Sequence, residues 1–102
     1  MLELRPSCEH CDKPLPPDAR DAMICTFECT FCAACAQGLF ENVCPNCGGG
    51  FQTRPVRPAQ PHRPPWYLGD HPARADRVHR PKDLAALRAL QEKLRSIDPY
   101  DR

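Results

Sequence analysis

Eight cysteines lie between positions 8 and 47 of the chain, in four closely spaced pairs. The pairs are Cys8/Cys11, Cys25/Cys29, Cys32/Cys35 and Cys44/Cys47. Two thiolates at such spacing can reach one metal ion from a tight turn, and four of them complete the closed tetrahedral shell that structural zinc prefers. Eight cysteines fill two such shells with none left over. The pattern therefore predicts two structural Zn²⁺ ions.

A disulfide framework is the other chemistry that eight cysteines could serve, and it requires an oxidising compartment. The N-terminal sequence MLELRPSCEHCDKPLPP has neither the apolar segment nor the small-residue cleavage site of a secretory signal. No stretch approaches the ~18 apolar residues of a membrane span. We therefore expect a cytoplasmic protein with no membrane association, whose thiols stay reduced and bind metal.

Charge and composition divide the chain near Phe51. Residues 1–51 carry three basic and seven acidic side chains, whereas residues 52–102 carry eleven basic and six acidic ones. We predict a two-zinc module over residues 1–51, a Pro/Arg-rich flexible or polyproline linker over 52–82, and an amphipathic helix over 83–98. Domains as short as the first usually need metal, disulfides or a partner, so we expect thiolate–metal bonds to replace an apolar core.

Short elements between the cysteines should position the ligands. Ala22–Phe27 and Thr30–Phe31 read as a small β-hairpin, and residues 33–41 read as a short helix. Leu39 and Phe40 are expected to pack on Ile24, Phe27 and Phe31. Around the last ligand pair, Pro45 fixes φ, and the glycines after Cys47 allow unusual dihedrals and let backbone amides face thiolates.

The run from Ile24 to Cys35, together with Leu39 and Cys44-Pro45-Asn46-Cys47, resembles a RING-type finger. The resemblance implies a small metal-bound α+β fold, a RING-like cross-brace zinc finger with a short β-hairpin and one short helix. A Pro-rich tail and a C-terminal amphipathic helix follow it. The resemblance also implies interleaved ligation. One zinc ion would be bound by Cys8, Cys11, Cys32 and Cys35, the first and third cysteine pairs, and the other by Cys25, Cys29, Cys44 and Cys47. Pairing by sequence neighbours remains the alternative.

Several residues depart from the pattern of RING ubiquitin ligases. Glu9 and His10 stand where those ligases commonly have an apolar residue, and residues 36–43 lack their common Trp. These departures argue against ligase activity. Residues 1–57 also resemble an uncharacterised family of small bacterial cysteine-rich proteins, classed as a domain of unknown function, on the opening MLELRP, the run Phe27–Cys32 and the run Asn42–Phe51.

Other metal chemistry must be weighed against two zinc ions. Cys29, Cys32 and Cys35 with a distant Cys44-Pro45 resemble an iron–sulfur pattern, which leaves the other four cysteines unexplained. A catalytic zinc site keeps an open position and often uses His or carboxylate ligands, which argues against an enzyme. We interpret His10 as an exposed side chain and the acidic residues Glu9, Asp12, Glu28 and Glu41 as solvated surface.

The tail combines a proline repeat with one clear helix. Pro55, Pro58, Pro61 and Pro64 recur every three residues, which is the period of polyproline II. Trp66 could dock on the module or anchor a partner. Residues 83–97 predict an amphipathic helix with Asp83 as its N-cap and a leucine face that must pack on the module, a second copy or another protein.

These features favour a zinc-binding, non-enzymatic interaction or adaptor protein with a protein partner. A nucleic-acid-associated regulator acting through residues 52–82 is the first alternative, and its affinity should fall steeply with salt. A zinc or thiol-redox sensor is the second, with Cys25 and Cys29 as the first candidates for a labile site because of their wider spacing. Self-association through residues 83–98 is also open.

Overall fold

The computed structural model describes all 102 residues. The chain folds into a three-stranded antiparallel sheet, a short π-helical turn and one α-helix. The elements are β1 (Ala22–Ile24), β2 (Thr30–Cys32), the π-helical turn (Ala34–Leu39), β3 (Gln52–Thr53), α1 (Leu84–Leu94) and a closing 3-10 turn (Pro99–Asp101). The predicted small α+β fold, with cysteine clusters positioned for metal, is confirmed.

No helix in the structure has the length and apolar character needed to cross a bilayer.

The sheet has the strand order β2-β1-β3. Met23 pairs with Phe31 across the predicted hairpin and with Thr53 on the other side of β1. β1 and β2 are only three residues long, because the loop Cys25–Cys29 lies directly between them. Since β3 lies beyond residue 51, the sheet continues into the first residues of the segment that the sequence assigned to the linker.

Three phenylalanines form the centre of the small core. The Phe31 ring meets the Phe40 ring edge-on at 4.9 Å and the Phe51 ring at 5.6 Å, and all three side chains are at least 95% buried. Phe40 and Phe31 pack as expected, but two other expected core residues do not. Phe27 is 71% exposed and Leu39 is 40% exposed. Phe27 lies in the loop between Cys25 and Cys29, and Phe51 packs on Phe31 instead.

The helix α1 begins at its predicted cap and ends earlier than predicted. The Asp83 carboxylate accepts hydrogen bonds from the amides of Ala85 and Ala86, as expected of an N-cap. The helix ends at Leu94 rather than near Ile97, because the Ile97 amide donates to the Leu94 carbonyl in a tighter turn. Leu87 is 4% exposed, and Gln91 donates to the Leu39 carbonyl at 2.6 Å. Leu87 and Gln91 thus pack on the module, whereas Leu84, on the predicted leucine face, is 42% exposed.

The two ends of the predicted linker, residues 52–57 and 74–82, contact the module. Arg57 donates to the Leu2 carbonyl at 2.6 Å, and Arg74 pairs with Glu3 at 2.9 Å. Trp66 stays 61% exposed and stacks on His71. The opposite charges of the two halves are therefore complementary within one molecule.

Candidate metal centre

Site 1 is formed by the first and third cysteine pairs. The Sγ atoms of Cys8, Cys11, Cys32 and Cys35 all lie within 4.8 Å of one another, and the Cys11 and Cys32 sulfurs are 3.7 Å apart. A tetrahedral ion with Zn–S bonds of ~2.3 Å requires sulfur–sulfur distances of about 3.8 Å. Four thiols at this separation fit one tetrahedral metal ion.

Site 2 is formed by the second and fourth pairs and is less compact. The Sγ atoms of Cys25, Cys44 and Cys47 lie within 4.8 Å of one another. Cys29 stands outside this mutual set, but its thiol is near enough to those of Cys25 and Cys44 to shift the pKa of both. Site 2 therefore has three closely grouped thiols and a fourth at its edge, and it too could bind a metal ion.

The cysteines are thus grouped as the interleaved prediction requires, and pairing by sequence neighbours does not occur. The hairpin explains the grouping. The loop Cys25–Cys29 joins the ends of β1 and β2 where Ile24 pairs with Thr30, whereas Cys32 pairs with Ala22 at the opposite end of the hairpin. The hairpin thereby directs the Cys25/Cys29 and Cys32/Cys35 pairs to different sites. The cysteines of the iron–sulfur alternative are also divided, because Cys32 and Cys35 lie in site 1 and Cys44 in site 2.

The first and fourth pairs lie on turns with the same backbone hydrogen bonds, which we call the knuckles (residues 8–13 and 44–49). In the first, the Cys8 amide donates to the Lys13 carbonyl and the Asp12 amide to the Cys8 carbonyl, each at 2.9 Å. In the second, Cys44 donates to Gly49 and Gly48 to Cys44, each at 2.8 Å. Each turn orients its two thiols through the backbone.

The knuckle around Cys47 also shows the expected amide-to-sulfur contact. The Gly49 amide lies 3.4 Å from the Cys47 Sγ and donates to it. Cys8 and Cys44 are fully buried, whereas Cys11 and Cys47 are exposed. Each site therefore has one knuckle sulfur inside the protein and one at the surface, which gives an ion a path from solvent.

Crowding of the thiols perturbs their ionisation in opposite directions. Hydrogen bonds from Cys29 and then Cys44 lower the pKa of Cys25 to about 3. Hydrogen bonds with Cys25 and Cys29, together with burial, raise the pKa of Cys44. In site 1, burial raises the pKa of Cys8 and Cys35. Packed thiols cannot all ionise without a cation among them, and a metal ion supplies that charge.

Glu9, between Cys8 and Cys11, is a structural residue that sequence reasoning placed on the surface. Its side chain is buried, and Oε2 accepts from the Arg5 guanidinium at 2.9 Å and from the Thr30 amide. Its own amide donates to the Thr30 carbonyl at 3.0 Å. Glu9 thus joins the first knuckle to β2, which leads to Cys32. The only signal in the sequence was its position between two ligands.

His10 was predicted to be an exposed knuckle side chain, but it is partly buried. Its ring meets Phe40 edge-on at 5.4 Å, and Nδ1 accepts a hydrogen bond from the Lys82 amide at 3.0 Å. It is held by the tail rather than directed at either metal site.

Comparison with known proteins places the chain in a family. A sequence model of the family described as "protein of unknown function (DUF1272)" matches residues 1–57. An uncharacterized protein of Rhizobium meliloti (strain 1021) is 55% identical over 89 residues, which cover 87% of this chain and 99% of that protein. That similarity extends well into the tail, beyond the part covered by the family. No solved structure matches. With its two cysteine clusters, the chain belongs to the family described as protein of unknown function (DUF1272).

Proposed function

We propose that this is a zinc-binding, non-enzymatic protein that presents a rigid surface to a protein partner. The observation that carries the proposal is the grouping of the cysteines into two interleaved sets, one with four sulfurs within 4.8 Å and one with three, beside which Cys29 lies. A metal ion in site 1 would join the Cys32 end of the hairpin to the first knuckle. An ion in site 2 would join the Cys25 end to the second knuckle. The metal ions would do for this module what a large apolar core does for a larger domain.

Zinc is supported over iron by the division of the cysteines. An iron–sulfur cluster of the pattern considered above needs Cys32, Cys35 and Cys44 in one site, whereas the structure places Cys44 in the other set. Zinc has no redox chemistry and accepts four thiolates in a tetrahedron, which is the geometry that site 1 offers. Two thiolate shells also suit a reducing compartment, so we propose a cytoplasmic location.

A structural role is supported by the composition of the shells. A catalytic zinc ion needs an open position for water, and its ligands usually include His or a carboxylate. Here each ion would have four thiolates. Glu9 and His10, the two residues between Cys8 and Cys11, are engaged by Arg5 and by the Lys82 amide, respectively.

Several basic side chains of the tail are already bound to the module, which favours a protein partner over a nucleic acid. Arg54, Arg57 and Arg74 donate to carbonyl or carboxylate oxygens of residues 1–16. Nucleic-acid binding depends on basic groups that are free to neutralise phosphates. The module itself would remain strongly negative with eight thiolates and two Zn²⁺ ions, which disfavours phosphate binding.

Elemental analysis tests the metal part of the proposal. The full chain purified under reducing conditions should be colourless and contain two zinc ions per molecule. Cys32→Ser and Cys44→Ser should each lose one ion, whereas His10→Ala should retain both. Visible absorbance with iron, or a metal-free protein that stays folded, would refute it. The partner is tested by affinity capture with the zinc-loaded full chain, using chelator-treated protein as the matched control.

The position of Cys29 favours a second candidate, a thiol-redox sensor at site 2. Because Cys29 lies outside the compact set, its thiolate should leave an ion more readily than those of site 1. Hydrogen peroxide would oxidise the Cys25 and Cys29 thiolates to a disulfide and would itself be reduced, with two protons, to two water molecules. The ion would then lose two of its ligands and be released. Site 2 should then lose zinc before site 1. Equal resistance of the two ions to peroxide would exclude this function.

A further inference from the structure

On one side of the module, every group that forms a hydrogen bond with the tail is an acceptor. We call this side the acceptor face; it comprises the first knuckle, the end of the π-helical turn and the second knuckle. Residues 77–91, the covering segment, lie on it. The acceptors are the carbonyls of Glu9, His10, Asp12 and Leu39, the Asp12 carboxylate, His10 Nδ1 and Asn46 Oδ1.

The covering segment supplies every donor. Arg77 donates to the carbonyl and carboxylate of Asp12, at 2.6 and 3.1 Å. The Arg80 amide donates to the Glu9 carbonyl at 2.8 Å. Lys82 spans the two knuckles, because its amide reaches His10 and its ammonium group reaches Asn46 Oδ1, each at 3.0 Å. This one-sided pattern is charge complementarity, with a basic strand on a surface of oxygen atoms and neighbouring thiolates.

An apolar anchor follows the basic strand. Leu87 of α1 is 4% exposed and belongs to the buried core cluster that includes Phe31 and Phe40. Beside it, a depression of about 200 Å³ lies between Pro45 of the module and Leu90 of the helix. One turn after Leu87, Gln91 donates to the Leu39 carbonyl. The face therefore fits a basic extended segment that leads into an amphipathic helix with one buried leucine. Binding of an amphipathic helix through its apolar face is a known mode of peptide recognition.

The covering segment is held in a way that permits exchange. The Arg77, His79 and Lys82 side-chain contacts are solvent-exposed, and exposed charged contacts contribute little each. Between Arg77 and α1, the segment has no secondary structure of its own. Leu87 and Gln91 are its only buried side chains, so much of its hold depends on one short stretch of helix.

We propose that the acceptor face is a binding site for a basic, leucine-anchored helical segment of a partner protein, and that the covering segment occupies this site in the free chain. The partner binds by displacing residues 77–91. This inference rests on the proposed function as an interaction protein and names the surface and the chemistry of its partner.

A labelled peptide of residues 77–102 tests the site in the full, zinc-loaded chain. In the wild-type chain the tethered segment competes with the peptide. In Leu87→Asp the tethered helix loses its anchor, so the peptide should bind at least tenfold more tightly, as measured by fluorescence anisotropy. Leu84→Asp alters a residue that is 42% exposed on the same helix, and it should behave like the wild type. A peptide carrying Leu87→Asp should not bind.

Two further measurements separate the possible failures. Zinc content is measured on each variant; if Leu87→Asp loses its metal, Arg77→Glu with Lys82→Glu releases the strand by surface changes alone and should bind the peptide of wild-type sequence. If the Leu87→Asp variant and the double variant both retain two zinc ions and neither binds the peptide, this inference is wrong. The zinc proposal would then still stand. If the wild-type chain forms a dimer in which residues 77–91 of each copy occupy the acceptor face of the other, the site serves self-association. That result would contradict the proposal that it binds a different protein.

Discussion

Asp12 and Gly48 occupy equivalent positions in the two knuckles. Both have positive φ, 64° and 78°, and their amides donate to the carbonyls of Cys8 and Cys44 at 2.9 and 2.8 Å. Gly adopts this left-handed conformation without cost, and Asp tolerates it better than most residues. The two turns therefore orient their thiols by the same backbone device, which needs little surrounding core.

The first prediction concerns this conformation. In Gly48→Ala the new Cβ would lie 2.8 Å from Leu94 Cδ1 and would add strain at positive φ. We expect the free energy of unfolding to fall by about 1–2 kcal/mol. Urea denaturation of the zinc-loaded protein measures this change. Gly38→Ala is the matched control, because a Cβ added at that position would have no atom within 4 Å. Equal losses in the two variants would contradict the explanation.

The second prediction concerns the buried Glu9 carboxylate between Cys8 and Cys11. Glu9→Ala would leave the Thr30 amide and the Nη1 group of Arg5 without their acceptor, while Arg5 Nε keeps its contact with Glu3. We expect a loss of about 2–3 kcal/mol in stability, since unsatisfied buried groups retain their desolvation cost. Glu41→Ala removes a 3.6 Å pair with Arg95 in which both side chains are about half exposed, and should cost under ~1 kcal/mol. Thermal unfolding compares the two variants.

The features that sequence reasoning predicted are local ones. Cysteine spacing shows which thiols can share a turn, and the hairpin between Ala22 and Cys32 then determines how the pairs combine. The cap at Asp83 is equally local, because its carboxylate accepts from amides two and three residues away. Such features depend on a few neighbouring residues, and one sequence is enough to find them.

The features that it missed depend on residues far apart in the chain. The proline repeat has the period of polyproline II, but period alone cannot show that Arg54 and Arg57 find carbonyls 49 and 55 residues earlier. The sequence also does not reveal that Glu9 is buried, because its partner Thr30 is 21 residues away. The core was misjudged for a related reason: Phe27 and Phe51 are both apolar, and only the closed loop Cys25–Cys29 excludes the first of them.

The third prediction concerns the ion pairs that fasten the tail to the N-terminus. The guanidinium groups of Arg5 and then Arg74 hold the pKa of Glu3 below its usual value, and Arg74 does the same for Asp76. In Arg74→Ala the pKa of Asp76 should rise further than that of Glu3, because Glu3 keeps Arg5. Carboxyl NMR titration measures both values.

The sign of the associated pH dependence follows from the direction of these shifts. Because the folded pKa of Glu3 and Asp76 is depressed, their contribution to stability is present above their ordinary pKa values. It is lost as the pH falls through the depressed values. Arg74→Ala should weaken this acid dependence, and the exposed Arg63→Ala should not alter it.

The fourth prediction concerns Arg54, a buried cation that has no carboxylate partner. It is 2% exposed, and its terminal nitrogens donate to the carbonyls of Arg5, Leu15 and Pro16 at 2.8, 3.2 and 2.8 Å. Burial lowers its pKa. Arg54→Ala would leave three carbonyls without these donors and open a cavity, so we expect a loss of about 3 kcal/mol in the free energy of unfolding.

Arg54→Lys separates the role of the charge from that of the fork-shaped guanidinium. An ammonium group keeps the charge but cannot span three carbonyls in a fixed planar arrangement, so the stability loss should be nearly as large as in Arg54→Ala. Arg63→Ala, at an exposed position of the same segment, should change stability by less than ~0.5 kcal/mol. Denaturation curves at matched zinc content measure all three variants. Full stability in Arg54→Lys would show that the charge alone secures the start of the tail to residues 5–16.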